Sequence, residues 1–153
     1  MAAAAAAKNA VFFEVRDAPY TMAEKLVVQS SLAELSSCYQ PFNQTMLFFA
    51  AARAFGQDAQ ALALCSLLLE SGGINLNHAD VHGQTALFYA VREGHIETVK
   101  YLITKGCDPN WVDNEGNTAR FFANRQNKLD VLNALDQNLQ AKKKAQIGRR
   151  WLT

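Results

Sequence analysis

Apolar positions along this chain come in short bursts at helical spacing, cut apart by polar breaks that carry glycine, asparagine or aspartate. Three bursts open with the same signature in the same register: Thr45-Met46-Leu47-Phe48-Phe49-Ala50, Thr85-Ala86-Leu87-Phe88-Tyr89-Ala90 and Thr118-Ala119-Arg120-Phe121-Phe122-Ala123. From Thr85 to Thr118 is 33 residues, and Asp80/Asp113, Gly83/Gly116 and Ala90/Ala123 keep that offset. A fixed period of this length predicts stacked helical units, each too small to bury its apolar face alone.

The clearest unit runs from Ala79 to Trp111. Asp80-Val81-His82-Gly83 reads as a turn, with Gly83 free to take positive φ. Thr85 is placed to cap the following helix, whose apolar positions are Leu87, Phe88, Ala90 and Val91. Gly94-His95 breaks that helix. A second carries Ile96, Val99, Tyr101, Leu102 and Ile103, and Gly106 stops it. The unit is turn, short helix, tight loop, longer helix and glycine stop. The run Gly83-Gln84-Thr85-Ala86-Leu87-Phe88-Tyr89-Ala90, then Gly94-His95-Ile96-Glu97-Thr98-Val99-Lys100-Tyr101-Leu102-Ile103 and Gly106-Cys107-Asp108-Pro109-Asn110, resembles the ankyrin repeat. The resemblance is clear over residues 43–136 and loose over 9–42.

It implies an all-α, ankyrin-repeat α-solenoid of about four helix-turn-helix repeats with short β-turn fingers and divergent terminal caps. The expected division is a degenerate N-terminal capping repeat over 1–42, repeats over 43–78 and 79–111, a divergent C-terminal repeat over 112–136, and a basic helix or tail over 137–153. In the first of these, a helix over Asn9–Arg16 and another over Met22–Leu35 are expected, the latter with Leu26, Val27, Ser30, Leu32 and Ala33 inward. Ala2–Ala7 reads as early helical turns or a frayed terminus. From Thr45 to Thr85 is 40 residues. The surplus over the period is placed in the connection near Gly56–Ala61 and at Gly72-Gly73. In the last repeat Arg120 takes the core slot of Leu87, and Asn127-Lys128 replaces Gly94-His95. A charge in such a slot is costly unless it reaches water, so this unit is expected to be the atypical, half-exposed end of the stack, or Arg120 to snorkel outward.

Half the residues are hydrophobic, which supplies a core, and the net charge of +1 gives no overall pull toward nucleic acid or membrane. The three cysteines, Cys38, Cys65 and Cys107, are scattered and form no C-x-x-C pair. That pattern favours a reducing, intracellular compartment, cytoplasmic or nuclear, over a disulfide framework. No apolar run reaches the roughly 18–20 residues that span a bilayer. The ending Arg149-Arg150-Trp151-Leu152-Thr153 has no mark of a natural terminus, and a piece of a larger protein is expected.

Catalytic chemistry has little foothold. There is no G-x-S-x-G elbow, no phosphate-cradling glycine loop and no cysteine with a histidine in sequence context. No enzyme activity, cofactor or metal is expected. His78, Asp80 and His82 alternate in a metal-like way, but the simpler reading is that Asp80 orders the turn and the histidines are solvated at its tip. His95 is expected to fix the interhelix loop by hydrogen bonds. The aromatic pairs Phe12-Phe13, Phe48-Phe49, Phe88-Tyr89 and Phe121-Phe122 are read as packing between units, with Tyr89 edging onto the surface. Trp111 is either an exposed interface anchor or a side chain packed across the neighbouring finger.

The resemblance implies a protein-interaction module, an adaptor or scaffold, binding an unidentified protein through its concave face and fingers. By position the implied contact residues are Val81, His82, Gln84, Tyr89, Arg92, Glu93, Trp111, Asn114, Glu115, Asn117, Arg125 and Gln126. A monomer is expected. Two further readings are a domain of a nuclear protein whose basic tail (Lys142, Lys143, Lys144, Arg149, Arg150) contacts nucleic acid, and a regulatory subunit or inhibitor docked on an enzyme.

Overall fold

A computed structural model describes residues 2–54, 56–137 and 140. Among these the chain is helical, with no β-strand beyond isolated bridges. The helices are α1 (Ala2–Asp17), α2 (Tyr20–Gln29), α3 (Leu32–Leu35), α4 (Met46–Ala51), α5 (Asp58–Glu70), α6 (Ala86–Glu93), α7 (Ile96–Lys105), α8 (Ala119–Arg125) and α9 (129–137). They stack in two layers. The first helices α1, α4, α6 and α8 touch in order, and the second helices α2, α5 and α7 do the same. This is the solenoid implied by the 33-residue period. The basic tail lies outside the described residues.

The core runs along the seam between the layers. Phe12, Val15, Leu47, Phe48, Leu64, Leu68, Leu87, Phe88, Leu102, Ile103 and Leu135 are all buried in it. Gly94 and Gly106 end α6 and α7 in left-handed conformation, as expected of helix stops.

The N-terminal cap departs from its reading. Ser31 breaks the expected 22–35 helix: its hydroxyl accepts from the Glu34 amide, and the Glu34 carboxylate returns to the Ser31 amide. The break rotates the chain beyond it, so Leu32 and Ala33 face outward while Ala23, Val27 and Leu35 are buried. The surplus of the second repeat is also shared differently. Helix α5 has 13 residues against 10 in α7, and Asp58–Ala61 belong to it instead of to a loop. Thr45, Thr85 and Thr118 do occupy N-cap positions, but without side-chain capping bonds; their carbonyls accept from Phe48, Phe88 and Phe121.

Polar ties cross every repeat boundary at the helix ends, where backbone groups lack partners within the helix. The guanidinium of Arg53, itself 2% exposed, donates to the carbonyls of Val15 (2.7 Å) and Ala18 (2.8 Å) at the end of α1. Gln57 and Gln60 accept its remaining bonds at 3.0 and 3.1 Å. The Arg53 carbonyl lies 2.9 Å from Nε2 of buried His95 in the next repeat. Asp58 caps α7 from outside: its carboxylate accepts from the amides of Glu97 (2.8 Å) and Thr98 (3.0 Å) and from the Thr98 hydroxyl (2.7 Å). Lys128, at the register position of His95, reaches the carbonyl of Arg92 at the end of α6.

Among the described residues the last repeat is half-exposed. Arg120 turns outward and pairs with Asp136 on α9. Phe121, the counterpart of fully buried Phe88, is 45% exposed. Phe122 instead packs back on Phe88, ring centroids 5.9 Å apart.

Replacing Arg53 by Ala strands the α1 carbonyls and leaves a buried void. The expected cost is about 3 kcal/mol in urea unfolding. Arg53→Lys recovers only part of it, because one ammonium cannot reach carbonyls and both glutamines together.

Candidate partner-binding face

The fingers are built on carboxylates. Asp80 Oδ1 accepts from the amides of His82 and Gln84, both at 2.9 Å, and its backbone amide bonds the Gln84 carbonyl. Asp113 does the same for Glu115 (3.0 Å) and Asn117 (2.8 Å). The second oxygen of each looks toward the preceding repeat. Asp113 Oδ2 accepts from Gln84 Nε2 at 3.0 Å, and Asp80 Oδ2 lies 3.5 Å from Gln44 Nε2. Gln44, Gln84 and Asn117 each precede a helix-opening threonine, so the ladder has a sequence counterpart that pattern reading passes over.

Backbone bonds join the fingertips as well. Val81 N donates to Phe42 O at 3.1 Å and Asn114 N to His82 O at 3.0 Å. The first of these fingers spans Tyr39–Gln44 and closes through mutual backbone bonds between its ends. Gly83 has φ +75, and a Cβ there would collide with Asn114 Oδ1 and lie 2.9 Å from Asn114 N. Gly116 has a similar φ of +81 but nothing within 4 Å of the added Cβ among the described residues.

Below the fingers, the Tyr89 hydroxyl donates to Asp80 Oδ2 (2.7 Å) and receives Gln44 Nε2 (2.6 Å). Burial, then the bond to Asp80, pushes the Tyr89 pKa up to about 12, so it stays a protonated donor. Arg92 lies over the Tyr89 ring, 4.2 Å from its centroid, with the Phe122 ring 5.8 Å away on the next repeat, and donates to Gln84 Oε1 at 3.0 Å.

Of the residues assigned to contacts from sequence, Val81, His82, Asn114, Glu115, Arg125 and Gln126 are exposed. Tyr89, Arg92, Glu93 and Asn117 are half-buried. Gln84 is buried, 7% exposed, because both ends of its amide serve the ladder; it supports the face instead of presenting itself. Trp111 packs inward with its indole N–H on Gly83 O at 2.8 Å, so the reading as an exposed anchor gives way to packing across the neighbouring finger. His78 is also not a solvated tip. It is half-buried, edge-on to Phe48, with Nε2 2.9 Å from Asn43 O and 3.6 Å from the Cys38 sulfur. Among the described residues no cluster of His, Cys, Asp or Glu could hold a metal ion.

A family model described as ankyrin repeats in three copies matches residues 14–113 and 57–147, most of the chain. The chain belongs to the ankyrin-repeat family. Ankyrin repeat domain-containing protein 29 from Homo sapiens is 45% identical over 49 residues, 32% of this chain and 16% of the relative. Its Danio rerio counterpart is 47% identical over 49 residues, again 16% of that protein. The NAD-capped RNA hydrolase NUDT12 of Homo sapiens is 54% identical over 33 residues, 7% of its length. The matched part of each relative is thus a small fraction of the whole, of the size of one or two repeats. Ankyrin repeats are in general protein-interaction modules. No described helix is long and apolar enough to cross a membrane.

The ladder has two measurable consequences. Gly116→Ala is expected to cost about 1 kcal/mol, the strain of a left-handed alanine. Gly83→Ala adds the collision with Asn114 and is expected to cost about 3 kcal/mol, both read by denaturant unfolding. The second consequence concerns acid. Burial raises the Asp113 pKa, but bonds from Asn117, Gln84 and Glu115 outweigh it and hold the group below its usual value. Its stabilisation is therefore present above the unfolded-state pKa of about 3.9 and is lost as pH falls through the lower folded value. Asp113→Asn should flatten that part of the acid-unfolding curve.

Proposed function

We propose that this chain is a non-catalytic, monomeric recognition domain that binds a protein partner along the fingers and the exposed side of the first helices. The observation that carries this reading is the division of labour along that face. Asp80, Gln84, Tyr89 and Asp113 are engaged in fixing the fingers and the ladder between them, while the side chains of Val81, His82 and Arg125 stand at the surface on fingers and helix they do not hold together. A surface fixed before the partner arrives loses little conformational entropy on binding, so a few anchors suffice for affinity. Exposed apolar residues on successive fingers, Phe42, Val81 and Val112, give such a partner something to bury. A reducing intracellular setting fits the free cysteines, two of them buried.

The test uses the full chain as bait, wild type against Val81→Asp with Glu115→Lys. A partner captured by the wild type and lost on the variant, with helicity by circular dichroism unchanged, supports the reading. Capture that survives the variant, or hydrogen-exchange protection confined to α5 and α7, overturns it.

A further inference from the structure

We draw no further inference here: the strongest candidate, the cavity of about 340 Å³ between α1, α3 and the start of α4 that Val11, Phe12, Ala33 and Met46 line, carries nothing because nothing in the structure shows what covers it.

Discussion

A short helix leaves four amides and four carbonyls without internal partners at its ends, and α4, α6 and α8 are hardly longer than that. The stack exists because each repeat supplies what its neighbour lacks. Arg53 serves the end of α1, His95 binds the loop after α4, Asp58 caps α7, and Lys128 serves the end of α6. Apolar burial draws the layers together, but these bonds fix which helix end meets which. Repeat folds owe their stability to such nearest-neighbour terms as much as to the units themselves. Arg53 is the point where three repeats meet, through its side chain on one side and its carbonyl on the other.

The same logic shapes the finger row. Each aspartate closes its own turn with one oxygen and faces the previous repeat with the other. Tyr89 and Arg92 are then positioned by that ladder, from Gln44 through Asp80 to Gln84. The half-buried side chains of this face are therefore coupled to the devices that hold the stack in register. Disturbing one finger moves the guanidinium of the next first helix as well as the fingertip.

Much of the architecture is legible in the sequence because it rests on period and on glycine. The 33-residue offset, the paired helices, the Gly94 and Gly106 stops and the outward turn of Arg120 follow from residue types alone. The features that escape the sequence depend on which groups meet in space. Arg53 reads as a stray charge among alanines until Val15, Ala18, Gln57 and Gln60 are seen around it. The break at Ser31 carries a capping-box pattern with Glu34, but the apolar spacing runs through it unbroken and hides the cap. Gln84 sits on the expected finger yet points inward, and the two readings of Trp111 divide only once its indole is seen on Gly83. A turn's periodicity is too short to say which way a side chain points. On the contact face, charge and exposure at Arg125 and Glu115 are readable, whereas the shelf of Tyr89 and Phe122 under Arg92 is not.

Between fingertips the backbone bonds all run one way: the amide belongs to the later repeat and the carbonyl to the earlier, in Val81 to Phe42 and again in Asn114 to His82. The column of fingers is thus a polar lattice with two unlike ends. Glu115 holds at the last described tip the place that Phe42 and His82 hold before it, an acceptor position. Each joined finger offers an amide to the repeat before it and a carbonyl to the repeat after it, so the row carries a direction of its own without committing a single charged side chain to the task.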